Sequence, residues 1–172
     1  MTKLKGAPVF PLKERPWTND WMTQADPKKR SSSFGSSRGE RTHAGCDLHV
    51  ASGTEVVAVA GGTVTDVSKG FPGNSQAIEV KHDGFIALYG EVVPASGVMR
   101  GKALKQSDVI ATVANQGRES QLHFELYLNP GDKPSHVLLP AGMKKPPYQR
   151  RLTPEDPTPY LKEWLAKMPS ES

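Results

Sequence analysis

Between residues 43 and 128 the chain alternates short runs of apolar and β-branched residues with clusters of turn-forming residues. The runs lie at 54–60, 63–67, 77–81, 86–89, 109–113 and 122–128. Asp83-Gly84 separates two alternating runs, and this dipeptide in that setting is a strong hairpin signal. No helical period of useful length interrupts the runs, which argues against a β-α-β fold. The pattern predicts a mainly β protein, an antiparallel β-sandwich or open barrel.

The flanking segments lack this regularity. Residues 1–42 show no period of 2 or 3.6 and predict an irregular N-terminal arm. Phe10, Trp17 and Trp21 could pin this arm to the domain, and a disordered arm is the alternative. Residues 129–152 are rich in proline and predict a long loop that wraps the domain.

The end of the chain regains a helical pattern. Residues 160–167 predict a short amphipathic C-terminal helix, with Pro159 near its start and Pro169 past its end. We therefore divide the chain into an arm at 1–42, a β domain at 43–128, and a wrapping loop with a C-terminal helix at 129–172.

Composition narrows the class further. The 16 glycines and 15 prolines among 172 residues favour a turn-rich fold. The net charge is +4, and no basic tract interleaves with aromatic residues, so we expect no nucleic-acid partner. The single cysteine, Cys46, excludes a disulfide framework and a multi-thiolate zinc site.

The sequence also bears on location. No apolar run approaches the ~18 residues of a membrane span. Pro8, Pro11 and nearby charges interrupt any apolar stretch at the N-terminus, so we expect no secretory signal peptide. Activity outside the cytoplasm would then need another route.

His43 is one of two histidines whose context favours metal binding. It lies four residues before Asp47, with Gly45 between them. A glycine at that position lets the chain turn, so that the imidazole and the carboxylate can face one cation. An isolated histidine is more often a surface residue than a metal ligand. The nearby Asp47 and Gly45 are the reason that we treat His43 as a candidate ligand.

His123 is the second, and it lies in a strand-like alternation. With period 2, Gln121, His123 and Glu125 share one face, while the leucines and Phe124 between them face the core. Two histidines and one carboxylate leave a fourth coordination position open, as at catalytic zinc sites. The helical His-Glu-x-x-His signature is absent.

Five motifs follow one another over residues 34–161. They are Phe34-Gly35-x-x-Arg38 with Arg41-x-His43-x-Gly45-x-Asp47-Leu48, then Gly53-Thr54-x-Val56-x-Ala58-x-x-x-Gly62-x-Val64, Val98-x-x-Gly101-x-x-Leu104 with Ile110-Ala111, Leu122-His123-Phe124-Glu125-Leu126, and Asp156-Pro157-Thr158-Pro159-Tyr160-Leu161. In this order they resemble the M23 (lysostaphin/LytM-type) zinc peptidases. The resemblance implies a small antiparallel β-fold with a groove, zinc held by His43, Asp47 and His123, and hydrolysis of amide bonds in peptidoglycan peptides.

Two positions depart from the family pattern. The family's final strand normally reads His-x-His, and the first of those histidines is Gln121 here. A second catalytic histidine normally follows a tyrosine in a Tyr-x-His-Leu pattern, and that position is Glu91, two residues after Tyr89. All three implied zinc ligands are kept while both catalytic imidazoles are replaced.

These departures leave two interpretations. In the first, Glu91 replaces histidine as the general base, and Gln121 donates a hydrogen bond to the oxyanion that forms on the substrate. In the second, the protein is a catalytically degenerate module that binds cell wall or a partner protein. We favour the first because an ionisable residue occupies one of the vacated positions. A β-sandwich interaction domain without metal is a third, more distant interpretation.

Other candidates are weaker. Tyr89 could hydrogen-bond the reacting peptide or belong to the core, and His136 could border the groove. Glu125 could orient a ligand or form a salt bridge on the sheet, while His82 is expected to be a solvated hairpin end. Cys46 is expected to be buried and inert.

The expected cofactor is therefore zinc, and the expected partner is a peptidoglycan peptide. We expect a monomer that acts at the bacterial cell envelope. Because no leader is expected, delivery by a phage or by a secretion machine is one route to that location.

Overall fold

In the part of the chain that the structure describes, the β-rich pattern folds as one antiparallel sheet of eight strands that does not close. The computed structural model describes residues 1–128, 147–150 and 152–170. The strands are β1 (Cys46–His49), β2 (Glu55–Val57), β3 (Gly62–Phe71), β4 (Ser75–His82), β5 (Phe85–Pro94), β6 (Ala103–Leu104), β7 (Val109–Val113) and β8 (Gln121–Leu128), followed by the helix α1 (Thr158–Ala166). The predicted antiparallel β class and the short C-terminal helix are confirmed.

Strand β5 is the centre of the sheet. The hydrogen-bonded order is β1-β8-β5-β4-β3-β6, and β7 pairs with both β5 and β2. At the predicted hairpin, His82 of β4 pairs with Phe85 of β5 across Asp83-Gly84. Gly84 has φ +86°, a conformation that glycine adopts without steric cost. The hairpin prediction is confirmed.

Two short strands were not predicted. Strand β6 has only two residues, too few to show an alternation. Strand β1 lies within the segment that carries the ligand candidates His43 and Asp47, where no alternation is visible. Its pairing with β8 places Asp47 opposite His123. This pairing places two of the predicted metal ligands side by side.

The N-terminal arm shares one apolar core with the sheet and α1. Phe10, Leu12 and Trp21 of the arm belong to the same buried cluster as Phe124 of β8 and Trp164 of α1. Of the three predicted aromatic anchors, Trp21 is fully buried, Phe10 is nearly so, and Trp17 is 61% exposed. The arm has no strand and only a short 3-10 turn at Asp20–Met22, but backbone hydrogen bonds such as Val9 N–H to the Val59 carbonyl and Val57 N–H to the Pro11 carbonyl join it to the sheet beside its packing.

His82 differs from its predicted solvated position. It is buried, and its ring stacks on Phe85 with the centroids 4.6 Å apart. Its Nδ1–H donates to the Gly61 carbonyl at 2.9 Å, while the Tyr89 hydroxyl lies 3.5 Å from its Nε2. Burial lowers the pKa of His82 to about 4, because little solvent is left to stabilise the imidazolium.

Two further expectations concern the proline-rich loop and membrane spans. The predicted wrapping loop at 129–152 lies largely outside the described residues. Within the described part of the chain, no helix has the length and apolarity needed to cross a bilayer, and α1 has nine residues.

Candidate metal centre and adjoining cavity

The pairing of β1 with β8 brings three ligand-type atoms together. His123 Nδ1 lies 2.8 Å from Asp47 Oδ1, and His43 Nε2 lies 3.1 Å from the same oxygen. The two imidazole nitrogens are 3.2 Å apart. All three residues are at least 95% buried. Their ligand atoms form a group that could hold a metal ion.

Gly45 makes this approach possible. A Cβ at that position would lie 2.2 Å from the carbonyl oxygen of Phe124 in β8, far inside contact distance. Its backbone φ is not in the left-handed region, so the requirement is close packing of the backbones and not a turn. The glycine expected to turn the chain instead lets the His43 segment lie directly against β8.

The outer nitrogen of each histidine is held by an acceptor. His43 Nδ1 lies 2.8 Å from the carbonyl oxygen of Ser33, and His123 Nε2 lies 2.7 Å from Glu125 Oε1. Because a carbonyl and a carboxylate only accept, the hydrogen of each neutral imidazole belongs on its outer nitrogen. In that neutral form the inner nitrogens present lone pairs toward Asp47 Oδ1, whereas a proton on either inner nitrogen takes the place of a cation and donates to that oxygen.

Three lone-pair donors that converge in a buried space need a positive charge between them. Two imidazole nitrogens and one carboxylate oxygen, each imidazole held by an outer acceptor, are a donor set that fits zinc. The donor atoms of His43, Asp47 and His123 therefore suit zinc.

The electrostatics agree with a site built for positive charge. Burial lowers the pKa of His123, but its hydrogen bonds to Asp47 and Glu125 outweigh burial and raise that pKa to about 9. Burial raises the pKa of Asp47, yet the neighbouring His43 and the hydrogen bonds from both imidazoles hold it well below its usual range. These two shifts favour a positive charge at the point where the three groups meet, whereas burial lowers the pKa of His43.

Arg38 holds the other oxygen of Asp47. Its Nη2 lies 2.8 Å from Asp47 Oδ2, and both side chains are almost fully buried. The same guanidinium donates to the carbonyls of Ser31 and Ser37 in the arm. Arg38 therefore fixes the carboxylate so that Oδ1 faces the two histidines.

A cavity of about 410 Å³ opens beside these ligands, and Asp47, Glu91 and Gln121 line part of it. Gln121 Nε2 donates to Glu91, at 3.0 Å from Oε1 and 3.2 Å from Oε2. Burial raises the pKa of Glu91, a residue that is 7% exposed. The structure thus brings both predicted catalytic residues into one wall of the cavity next to Asp47.

A bulge in β5 directs Glu91 into this cavity. In the pairing with β4, Gly90 lies opposite Ala77 and Val92 lies opposite Gln76, so Glu91 is an additional residue. Its φ of +61° is in the left-handed region, which costs a non-glycine residue about 1–2 kcal/mol. Backbone strain of this kind is often found at functional sites.

Tyr89 does not fit its predicted substrate-contacting role. It is fully buried, its ring packs against Phe124, and its hydroxyl accepts a hydrogen bond from the Val59 backbone N–H at 3.0 Å. Tyr89 faces the core, while Gly90 faces His123, as the contacts of a hypothetical Cβ at Gly90 show. Of the two expectations for Tyr89, the structure shows the core position and not the substrate contact, because the bulge puts Tyr89 and Glu91 on opposite sides.

The remaining candidates have different outcomes. His136 lies outside the described residues. His49 is partly exposed, lines the cavity and lies 3.1 Å from the Ser32 hydroxyl. Cys46 is buried, as predicted, and burial raises the pKa of its thiol to about 12. The supporting roles of Ser33 and Arg150 were missed, because neither lies in a recognisable pattern.

Comparison with known proteins adds a family match. The family model described as peptidase family M23 matches residues 41–135, more than half of the chain. A search of curated proteins found no match.

Solved structures share the fold. LytU is 21% identical with a TM-score of 0.54, over 82% of this chain and 91% of that chain. The catalytic domain of the antimicrobial peptidase lysostaphin from Staphylococcus simulans is 20% identical with a TM-score of 0.51, over 75% of this chain and 88% of that chain. An M23-type protein from Pseudomonas aeruginosa is 22% identical with a TM-score of 0.51, over 73% of this chain. The match spans about half of that protein, 46% of its length.

Proposed function

The chain belongs to peptidase family M23, and we propose that it is a zinc-dependent endopeptidase that cuts stem or bridge peptides of bacterial peptidoglycan. One observation carries the proposal: His43, Asp47 and His123 aim three lone-pair donors at one buried point, beside a cavity lined by a carboxylate. A plain interaction domain has no need for such a convergence, which is costly without a cation.

Zinc, when bound, polarises a peptide carbonyl and makes water a stronger nucleophile. His43, Asp47 and His123 are the residues that hold it. Ser33, Glu125 and Arg38 fix the orientation of these ligands through the hydrogen bonds described above. The chain thereby supplies both the ligands and the groups that hold them in place.

Glu91 is the proposed general base. Its carboxylate lines the same cavity as Asp47, and its raised pKa makes it a better proton acceptor than an exposed glutamate. In the proposed reaction Glu91 takes a proton from the attacking water and then passes it to the leaving amine.

Gln121 supports this chemistry in two ways. One hydrogen of its amide nitrogen donates to Glu91 and holds the carboxylate in place. The second is available to the oxyanion that develops on the substrate carbonyl, and a donor of this kind contributes about 3 kcal/mol in favourable cases.

The family and its relatives support the proposed substrate class. Lysostaphin is described as an antimicrobial peptidase, and its catalytic domain shares this fold along most of its length. We propose a peptide of the cell wall as substrate, the bacterial envelope as the place of action and a monomer as the active form. Delivery by a phage or a secretion machine is part of the same proposal.

The test is digestion of purified sacculi from several wall types. Zinc-loaded protein should release new peptide amino groups, chelation should stop the release, and added zinc should restore it. His123→Ala is the matched control and should release none. If the wild type binds wall fragments only in the presence of zinc but cuts no wall type, the protein is a degenerate binding module and the proposed activity is wrong.

A further inference from the structure

A four-residue segment before α1 contacts the elements that support both histidine ligands. We call residues 147–150 the brace. The Pro147 carbonyl accepts a hydrogen bond from the backbone N–H of Thr42 at 2.8 Å, directly beside His43. The Tyr148 ring stacks on Phe34, with centroids 5.5 Å apart. Phe34 follows Ser33, whose carbonyl holds the outer nitrogen of His43.

The brace also contacts Glu125, the residue that accepts the hydrogen bond from His123 Nε2. Arg150 Nε lies 3.1 Å from both carboxylate oxygens of Glu125, and Arg150 Nη2 donates to Oε1. The Tyr127 hydroxyl donates to the other oxygen. Glu125 is fully buried and Arg150 is 3% exposed. Without the guanidinium, the fully buried Glu125 carboxylate would lose its permanently charged partner, which is strongly unfavourable.

We propose that the brace holds both histidines in their ligating orientation, and that Arg150 is a positioning residue acting on His123 through Glu125. This inference rests on the zinc site of the proposed function. The brace lies beyond residue 135, where the family match ends. Groups that orient metal ligands typically change metal affinity by about 10–100-fold when they are removed.

The first test is zinc affinity, measured by competition with a chromophoric chelator. Arg150→Met and Tyr148→Ala should each weaken zinc binding by about 10-fold or more. Arg150→Met removes the guanidinium hydrogen bonds to Glu125, and Tyr148→Ala removes the ring stacked on Phe34 without changing the charge of the brace. Arg15→Met is the matched control, because Arg15 donates to the Met168 carbonyl away from the site. Wild-type affinity in the folded Arg150→Met and Tyr148→Ala variants would overturn the proposal.

A double-mutant cycle tests the route through Glu125. If Arg150 acts only by holding Glu125, then Arg150→Met combined with Glu125→Gln should weaken zinc binding no more than Glu125→Gln alone. Effects that add would show that Arg150 does not act through Glu125. Arg150→Lys keeps a compensating charge without the bidentate fork, so it should lose less affinity than Arg150→Met.

A spectroscopic test separates this proposal from the proposed function. The Nε2 proton of His123, donated to Glu125, should give a slowly exchanging NMR resonance in wild-type and Arg15→Met protein, with or without zinc. Arg150→Met should shift or broaden it. If the wild type fails to bind zinc, the proposed function is wrong, but this resonance still tests whether Arg150 positions His123. An unchanged resonance in folded Arg150→Met would overturn the brace.

Discussion

Glu91 combines backbone strain with a buried carboxylate, and both features predict that its replacement stabilises the fold. The left-handed φ costs about 1–2 kcal/mol, and glycine removes this cost at an entropic penalty of roughly 0.5–1 kcal/mol. Glu91→Gly should therefore raise the free energy of unfolding by about 1 kcal/mol. For a chain of 172 residues this corresponds to a melting temperature about 2–4 °C higher.

Glu91→Gln separates charge from strain. It keeps the side-chain size, the left-handed backbone and a hydrogen bond with Gln121, but it removes the buried charge and the proton acceptor. The raised pKa of Glu91 means that burial disfavours its ionised form in the folded state, so the amide should be at least as stable at neutral pH. Hydrolysis of sacculi should fall by about 10²–10⁴-fold with zinc still bound.

The measurements are thermal unfolding and the rate of peptide release, made on the same preparations. Ser107→Gly is the control, because Ser107 is exposed with φ +68° and its replacement relieves strain without removing a buried charge. It should raise the melting temperature and leave hydrolysis unchanged. Wild-type activity in Glu91→Gln, or a loss of more than about 1 kcal/mol of stability in either Glu91 variant, would refute this reasoning.

Three further predictions address the core, the catalytic groups and pH. His82 has a folded-state pKa of about 4, below its unfolded value near 6.5, so up to about 3 kcal/mol of stability should be lost as pH falls between those values. Denaturant titrations of His82→Asn should show a smaller pH dependence than the wild type, and an equal dependence would refute the assignment. Gln121→His replaces the proposed oxyanion donor by the histidine that is usual in the family, so zinc should stay bound and hydrolysis should remain at or above the wild-type level; a clear loss of hydrolysis would contradict this prediction. Trp21→Ala should cost about 3–5 kcal/mol by chemical denaturation, whereas Trp17→Ala should stay within about 0.5 kcal/mol, and equal costs would contradict the packing of the arm.

Local patterns in the sequence were sufficient for most of the sheet. Alternating runs and the Asp83-Gly84 turn are short-range signals, and the structure bears them out. His43, Asp47 and His123 could also be predicted, because glycine spacing and a period-2 face are visible in the chain. Whether these three bind zinc stays a prediction.

The errors came from features without a local signal. For Tyr89 the sequence leaves substrate contact and core packing both open, and the bulge at Glu91 decides between them. His82 was expected to be solvated, but the Phe85 ring and the Gly61 carbonyl enclose it. Sequence periodicity cannot show a bulge that depends on the pairing of two strands.

The supports of the metal ligands were missed for a different reason. Ser33 acts through its backbone carbonyl, which every residue has, so its side chain gives no indication of the role. Arg150 reaches Glu125 across 25 positions of sequence from an irregular segment. Only the folded chain brings these groups to the histidines.

The most direct test of the account is the zinc content of the purified protein by elemental analysis, with His123→Ala as the matched variant. The account predicts one zinc per chain in the wild type and loss of most of it in His123→Ala. Bound zinc should also raise the melting temperature of the wild type alone, since a ligand of the native state adds stability. Stoichiometric zinc that survives in His123→Ala, or a wild type that binds none, would contradict the central claim that His43, Asp47 and His123 form a zinc site.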